Sequence, residues 1–498
     1  MTPFYTATDH LVLLPAIMLA FFGCAILLLD HWAPDIMALF RAANPKDRKW
    51  LLPVFVLPGI AFTAYTLWRQ QSYLAASGAT DIQAFQGSLV IDGFSLFFNW
   101  IFLIASLIVA IVSYRYLDIE GEHHGEYYGL ILLANSGMFF LAAGSDLVTL
   151  FIGLELMALC FYVMVGFLRG DRRSNEAAMK YLILGAFSSG FLLYGFSILY
   201  GIGGSTKLAA ISEAMAAREL DDPVLWLALI TTAVGLLFKI SAAPFHMWAP
   251  DAYEGAPTTV TAYLSVASKA ASFAFLLRIF LGPFAASREV WEPILAAIAV
   301  LTMTVGNFAA ISQTNVKRLL AYSSISHAGY MLLGLVAGNE TGLQGISVYI
   351  LVYTFMNLGA FLVIVALRRG NLIGDEIEDL AGLMRRSPGM AMLMLVFLVS
   401  LAGIPPTAGF LGKFYIFLAL IETGHYVLAV IATLYVAVAI YYYFRMVRTM
   451  FLDPSAEQEP LAGSFGLRLA GVSAGVLTLA IGDYPEPFLR LAQTSILR

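Results

Sequence analysis

The sequence has little charge for its length. Only 12% of its 498 residues are Asp, Glu, Lys or Arg, and 60% are hydrophobic, whereas about a quarter of the residues in an ordinary soluble domain are charged. A water-soluble fold is therefore excluded. The net charge is −5 and no basic run occurs, so the chain lacks the positive surface that binding to nucleic acid requires.

Cysteines are scarce, and a complete nucleotide-binding fingerprint is missing. Cys24 and Cys160 both lie in apolar runs, where a thiol usually behaves as a small hydrophobic group, so they indicate no disulfide, metal or iron–sulfur site. The glycine-rich stretch Gly201–Gly204 follows a predicted membrane helix rather than a strand, which argues against a nucleotide site. Met1–His10 contains no Lys or Arg, so we interpret the first apolar run as a retained span rather than a cleavable signal.

Long apolar stretches are what the sequence does contain. About 20 helical residues cross a bilayer, and we count fourteen stretches of this kind. They begin near Leu11, Leu51, Phe94, Tyr127, Leu147, Ala177, Val224, Thr258, Pro293, Leu319, Leu343, Pro388, Tyr426 and Gly463. The sequence therefore predicts an all-α polytopic membrane protein of about fourteen transmembrane helices.

Basic residues near the span ends predict the orientation, because cytoplasmic loops are enriched in Lys and Arg. With the N-terminus outside, eighteen basic residues fall on the inner side and seven on the outer side. The inner set is Arg41, Lys46, Arg48, Lys49, Arg115, Arg169, Arg172, Arg173, Lys180, Lys317, Arg318, Arg368, Arg369, Arg385, Arg386, Arg445, Arg448 and Arg468. The outer set is Arg69, Lys207, Arg218, Arg278, Arg288, Arg490 and Arg498. Both termini are therefore expected in the periplasm.

Three lysines and one carboxylate lie inside predicted spans. They are Lys239, Lys269, Lys413 and Glu155. A charge at the bilayer centre costs about 3 kcal/mol, so such residues face a partner or a wet cavity and often mark ion paths. Burial disfavours the charged form of a lysine and a nearby carboxylate favours it, so the lysine's proton depends on where the carboxylate lies. This arrangement predicts a proton conductor, with snorkelling or a fixed ion pair as the alternative for any single lysine.

Two spans are interrupted by proline beside these lysines. Pro244 follows Lys239, whereas Pro405 and Pro406 precede Lys413. Proline removes a backbone donor and frees carbonyls that protein or water must satisfy. Two such breaks, five spans apart, are expected of internal repeats that place discontinuous helices at an ion path.

Several motifs together resemble a known family. They are DGFSLFF at 92–98, LEL at 154–156, KYL at 180–182, FK at 238–239, HMWAPDAYEGAPT at 246–258 and SSISHAGY at 323–330. This set resembles the antiporter-like membrane subunits of respiratory complex I over nearly the whole chain. The stretch Phe238–Thr258 is its most specific part.

The resemblance implies a division of the chain around two inverted five-helix repeats with two discontinuous helices. The repeats would occupy residues 127–281 and 293–451. A three-helix region at 1–126 would precede them, and a C-terminal helix and tail at 463–498 would follow.

The resemblance also implies roles for the buried residues. Glu155 and Lys239 would form a coupling pair, Lys269 would bridge the two halves, and Lys413 would end the second half-channel. His327 would belong to the polar axis between them. For His246 two roles stay open, since it would either line the inner mouth of the path or satisfy carbonyls at the helix break.

The family further implies a proton-translocating subunit without a redox centre of its own. NADH, FMN, iron–sulfur clusters and quinone would be held by other subunits, and no cofactor by this chain. Its partners would be neighbouring antiporter-like and small helical subunits, the lipid bilayer and protons, in a bacterial inner membrane. Two alternatives stay open: a subunit of a multisubunit sodium/proton antiporter, and a scaffold that has lost conduction.

Overall fold

A computed structural model describes residues 6–39, 51–368, 374–454 and 464–497 of the chain. Six of the basic residues used for the orientation lie outside the described residues. They are Arg41, Lys46, Arg48, Lys49, Arg369 and Arg498.

Helices cover all fourteen predicted spans. The first three are α1 (Ala7–Leu39), α2 (Leu51–Ser77) and α3 (Gly93–Glu120). The next group is α4 (Gly125–Ala143), α5 (Leu147–Val165), α6 (Arg172–Gly203), α7 (Leu208–Ala216), α8 (Pro223–Lys239), α9 (Trp248–Gly255), α10 (Thr258–Tyr263) and α11 (Lys269–Leu281). The remainder is α12 (Arg288–Ile311), α13 (Val316–Ala337), α14 (Glu340–Leu367), α15 (Leu383–Arg386), α16 (Pro388–Ala402), α17 (Ala408–Glu422), α18 (Tyr426–Leu452), α19 (Phe465–Asp483) and α20 (Glu486–Gln493).

Strands are confined, within the described residues, to one small hairpin between α2 and α3. Strands β1 (Asp81–Ala84) and β2 (Leu89–Asp92) pair antiparallel, with Asp81 opposite Asp92. The hairpin ends directly at α3, where the Asp92 side chain accepts a 2.7 Å hydrogen bond from the Ser95 amide. Asp92 therefore caps α3 at one end of the molecule.

The all-α membrane architecture predicted from the sequence is confirmed. In the described ranges, ten helices are long and apolar enough to cross a membrane on their own. The helices begin within five residues of the predicted starts. Several begin earlier, because a polar capping residue such as Asp171 precedes the apolar run and accepts the first free amides.

Both predicted helix breaks are present. The chain leaves the helix between α8 and α9, and again between α16 and α17. Residues 127–281 and 293–451 each contain five spans of which the fourth is broken. The inverted relation between the two units stays a prediction.

The centre of the bundle is formed by α14, α13 and the helix that contains α10 and α11. In the most apolar 18-residue stretch of α14, 100% of the residues are buried, and in the corresponding stretches of the other two helices 94% are buried. In that of α18 only 22% are buried. Peripheral helices expose large apolar side chains such as Phe187 and Val427. Polar side chains on the central helices are therefore screened from lipid by other helices.

Candidate functional site

The three intramembrane lysines are buried on different helices. Lys239 ends α8, Lys269 begins α11 and Lys413 lies in α17. Their exposed fractions are 5%, 3% and 3%. Because a buried ammonium group needs hydrogen-bond partners, the groups around each lysine define the site.

Glu155 and Lys239 have different partners in the structure. Ser189 of α6 donates a 2.6 Å hydrogen bond to the Glu155 carboxylate. The Lys239 ammonium lies 3.4 Å from the Tyr162 hydroxyl and 5.8 Å from the centre of its ring. Tyr162 follows Glu155 by seven residues on α5, so the two side chains leave the same face ~10.5 Å apart along the axis. The negative carboxylate therefore favours the charged form of the lysine from a distance, without forming a direct ion pair.

Lys269 follows an irregular helical turn. A single π-helical turn, Leu264–Ser268, directly precedes it, and such turns are rare and frequent at functional sites. The Lys269 ammonium donates to the Ser324 carbonyl at 2.7 Å and also to the Ser324 hydroxyl. Lys269 is thereby joined to α13 close to His327.

His327 continues this contact toward α14. Its Nδ1 lies 2.6 Å from the Tyr349 hydroxyl, and its Nε2 lies 3.2 Å from the Tyr443 hydroxyl. Tyr443 is also hydrogen-bonded to Ser323, the neighbour of the serine that Lys269 contacts. Hydrogen bonds therefore join Ser323, Tyr443, His327 and Tyr349, and this set meets the Lys269–Ser324 contact at the two adjacent serines. Its hydroxyls can both donate and accept protons.

Gly412 allows Tyr349 to reach α17. A Cβ atom added at Gly412 would lie 3.0 Å from Cδ2 of the Tyr349 ring, which is too close for an ordinary contact. The ring that bonds to His327 therefore packs against α17 at the residue before Lys413, whose ammonium lies 5.0 Å from the Tyr330 ring centre.

Lys413 of α17 binds the C-terminal end of α16, the helix on the other side of the break. Its ammonium donates to the Leu401 carbonyl at 3.1 Å and to the Ala402 carbonyl at 3.0 Å. Both carbonyls belong to the last residues of α16, where intrahelical partners are missing. Lys413 therefore satisfies carbonyls that the proline break frees.

Aromatic rings fill the space between Lys239 and Lys269. Trp248 stacks on Tyr181 with ring centres 4.4 Å apart and lies 6.4 Å from Tyr253. In the part of the chain that the structure describes, no chain of hydrogen bonds connects the two lysines. By location the predicted site residues form two groups, Glu155 with Lys239 on α5 and α8, and Lys269 with His327 and Lys413 on α11, α13 and α17.

His246 belongs to neither group. It is partly exposed in the break between α8 and α9. No hydrogen bond among the described residues joins its side chain to the buried lysines or to Glu155. The two roles considered for His246 stay predictions.

Sequence reasoning missed the partners of the predicted residues. These partners are Tyr162, Ser189, Ser324, Tyr349 and Tyr443. Ser324 belongs to the motif that contains His327, and this position in a motif was the one feature of the sequence that could have indicated it. The others are hydroxyl groups within apolar helices, and helix packing alone decides which partner each one meets.

Two further cations are buried at the span ends. Lys317 pairs with Asp375 at 3.2 Å, and Arg278 pairs with Asp92 at 3.0 Å. Their positions near loops gave no sign of this burial. In the described residues, no group of three or more His, Cys, Asp or Glu side chains is placed to hold a metal ion.

Comparison with known proteins places the chain in a family. Residues 144–439 match the model of the transmembrane family described as NADH:quinone oxidoreductase/Mrp antiporter. NADH-quinone oxidoreductase subunit N 2 of Solibacter usitatus is 69% identical over 99% of this chain and 99% of its own length. The chain belongs to the NADH-quinone oxidoreductase subunit N family. This agrees with the resemblance stated from the sequence motifs.

Solved structures share the fold of this subunit N family member. A chain of respiratory complex I from Thermus thermophilus matches with a TM-score of 0.78 and 33% identity, covering 96% of this chain and 99% of that chain. A chain of the Mrp complex from Dietzia matches with a TM-score of 0.81 and 21% identity, covering 97% of each chain. The second likeness shows the common fold alone.

Proposed function

We propose that the chain is a proton-translocating membrane subunit of a bacterial NADH–quinone oxidoreductase. It couples quinone reduction elsewhere in the complex to proton movement through Glu155, Lys239, Lys269 and Lys413. The observation that carries the proposal is the chain of polar side chains from Lys269 through His327 to the surroundings of Lys413. It lies on the most enclosed helices of the bundle, where polar groups are costly and usually functional.

In the first half, Glu155 controls the proton on Lys239. The carboxylate favours the charged ammonium, and Tyr162 keeps the two groups from locking into a direct pair. When charge elsewhere in the complex draws the carboxylate away or neutralises it, Lys239 releases its proton. The aromatic packing around Trp248 limits free leakage of this proton toward the centre.

In the second half, Lys269 passes its proton along α13 toward α17. Serine and tyrosine hydroxyls and a histidine can each accept one proton while donating another. Ser324 and His327 supply these groups next to Lys269, and Tyr349 carries the path to Lys413. Lys413 then releases the proton on the periplasmic side.

Redox chemistry takes place on other subunits of the complex. NADH, FMN, iron–sulfur clusters and quinone are held there, and this chain holds no cofactor. Its partners are neighbouring antiporter-like and small helical subunits in the inner membrane. The exposed apolar faces of the peripheral helices, marked by Phe187 and Val427, fit contact with lipid or with such subunits.

Removal of the central lysine tests the proposal. We expect Lys269→Met to lower the protons moved per NADH oxidised by reconstituted complex, because methionine fills a similar volume without an exchangeable proton. Lys207→Met, at an exposed outer lysine, is the matched control and should leave pumping unchanged. Normal pumping by assembled Lys269→Met complex would remove Lys269 from the path.

Copurification separates this function from that of a sodium/proton antiporter subunit. A tag on this chain should recover a complex that oxidises NADH with quinone. Recovery of a complex with sodium-dependent antiport and no NADH oxidation would establish the alternative.

The proposed orientation places both termini in the periplasm and the loop before α6 in the cytoplasm. An Arg172→Cys variant should react with an impermeant thiol reagent only from the cytoplasmic side. Reaction from the periplasm would reverse the orientation.

A further inference from the structure

A polar stripe runs along α3, a helix that the proposed lysine path does not use. Asp92, Asn99, Ser106, Ser113 and Glu120 follow one another at intervals of seven residues. Seven residues are close to two helical turns, so these side chains share one face with a drift of about 20° per interval. The three middle residues are buried.

The half of the stripe near Glu120 is rich in hydroxyl contacts. Ser113 donates to the Tyr127 hydroxyl at 3.0 Å, and that hydroxyl lies 2.7 Å from Oγ1 of Thr259. Two turns closer to the start of α3, Ser106 lies 2.7 Å from the Tyr263 hydroxyl. These contacts form two hydroxyl nodes between α3 and α10.

A cavity opens at the Glu120 end of the stripe. Its volume is about 540 Å³, and its lining includes Tyr116, Glu120, Thr258 and Asp375. Asp375 is 8% exposed and its Oδ1 has no hydrogen-bond partner in the described part of the molecule, which leaves an acceptor for water. Asp171 lines the same cavity and belongs to the loop before α6, which the basic residues assign to the cytoplasm. The cavity therefore opens to the cytoplasmic side.

The other half of the stripe is closed by aromatic rings. Phe94 and Phe98 lie 4.7 Å apart, and Phe102 lies 6.1 Å from Phe98. Beyond them Arg278 holds both oxygens of Asp92 at 3.0 Å. Polar contacts thus lead inward from the cytoplasmic side and stop before the periplasmic side.

The middle of the stripe, at Ser106, contacts the residue that precedes the irregular turn before Lys269. Tyr263 is the residue directly before the π-helical turn, and Lys269 is the residue directly after it. Within the turn, Ser265 accepts a 2.8 Å hydrogen bond from Asn357, whose buried Oδ1 has no partner among the described residues. The turn thus presents polar groups between the stripe and the lysine.

We propose that the α3–α10 interface is a proton inlet from the cytoplasmic cavity to Lys269. The proposal rests on the proposed function of Lys269 as a proton carrier. A proton enters from water in the cavity, each hydroxyl donates one proton as it accepts another, and the proton ends on the neutral Lys269 amine. Ser106 and Ser113 are ~10.5 Å apart along the helix, a gap that about three water molecules bridge.

Removal of the two tyrosine hydroxyls tests the inlet. In reconstituted complex, the double variant Tyr127→Phe, Tyr263→Phe should slow proton pumping by about a hundredfold, the lower end of the range for loss of a proton-transfer group. Tyr128→Phe is the matched control, because Tyr128 is equally buried beside Tyr127 and its hydroxyl has no partner in the described residues. It should pump normally.

Lys269→Met distinguishes failure of the inlet from failure of the proposed function. Slow pumping by Lys269→Met with normal pumping by the double variant would overturn the inlet alone. Normal pumping by Lys269→Met would overturn the function on which the inlet rests.

A labelling experiment keeps the test valid if the double variant fails to assemble. In a chain with Cys24→Ala and Cys160→Ala, a Ser106→Cys variant should react with a small thiol reagent added from the cytoplasmic side. The same reagent from the periplasmic side should react at least about tenfold more slowly, as expected for a site closed off at that end. Equal reactivity from both sides, or none from either side, would overturn the inlet.

Discussion

The two broken helices place their lysines on opposite sides of the break. Lys239 is the last residue before the first break, whereas Lys413 lies six residues into α17, after the second. In both places the proline-containing segment leaves carbonyls without intrahelical donors. The two halves of the molecule satisfy these carbonyls differently.

In the first break an indole satisfies a freed carbonyl. Trp248 donates to the Phe238 carbonyl at 2.9 Å, beside the Ser241 amide at 3.0 Å. Lys239 is therefore left to interact with Tyr162 and the field of Glu155. In the second break the lysine itself satisfies the carbonyls of Leu401 and Ala402.

The difference shows that equally buried lysines can be bound to the fold to different degrees. Lys239 contacts a side chain that can turn away, whereas Lys413 is held by two backbone carbonyls. Under the proposed function, the first lysine is governed by a carboxylate, and the second must break backbone contacts or use its third hydrogen to pass a proton on.

The largest expected contrast is in stability after removal of each lysine. Lys413→Ala should destabilise the subunit by about 2–6 kcal/mol, because it leaves two buried carbonyls without donors at about 1–3 kcal/mol each. Lys239→Ala should leave stability nearly unchanged or raise it, because it removes a buried charge with one weak contact. Thermal unfolding of the purified complex measures both. Equal losses would show that the two lysines are bound alike.

The next contrast concerns pumping by arginine variants. Lys413→Arg should retain the carbonyl contacts and normal subunit content but pump as poorly as Lys413→Ala, because a guanidinium does not release its proton. Proton translocation per NADH in vesicles is the measurement. Near-normal pumping would make Lys413 a structural cap and place the outlet elsewhere.

Removal of the indole donor should make the first break resemble the second. Trp248→Phe removes one of two donors to the Phe238 carbonyl, which keeps the Ser241 amide. The loss of this one hydrogen bond costs about 0.5–1.5 kcal/mol and lets the carbonyl accept from the Lys239 ammonium instead. We expect lower pumping together with this loss of stability.

The matched control for that change is Trp291→Phe. Trp291 also donates to a backbone carbonyl, that of Phe284, at 2.8 Å, but it lies far along the chain from both breaks. It should lose similar stability and keep normal pumping. Loss of pumping in both variants would mean that stability alone explains the effect.

The smallest expected effect concerns Glu155, the carboxylate proposed to act on Lys239. Ser189→Ala removes a hydrogen bond to the Glu155 carboxylate, a contact to a charged group typically worth about 1.5–3 kcal/mol. Pumping should fall less than in Glu155→Gln. Ser197→Ala on the same helix, whose hydroxyl donates only to the Tyr194 carbonyl, is the control. An effect as large as that of Glu155→Gln would make Ser189 part of the path itself.

Some features follow from the sequence because they depend on neighbouring residues alone. Span positions follow from apolar length, and the helix breaks follow from Pro244 and from Pro405 with Pro406, since proline lacks an amide hydrogen. The costly charges Lys239, Lys269 and Lys413 are visible because almost no other cation lies within a span. The π turn at Leu264–Ser268 was not predicted, since its residues read as ordinary helix.

The partner of each charge was decided by tertiary structure. Ser189 and Glu155 are 34 residues apart in sequence, and His327 meets Tyr443 across 116 residues. Hydropathy shows that such groups are buried, but it does not show which face of each helix turns toward which neighbour. Close packing of side chains fixes those rotations, and through them it decides that Lys239 meets a tyrosine while Lys413 meets the backbone.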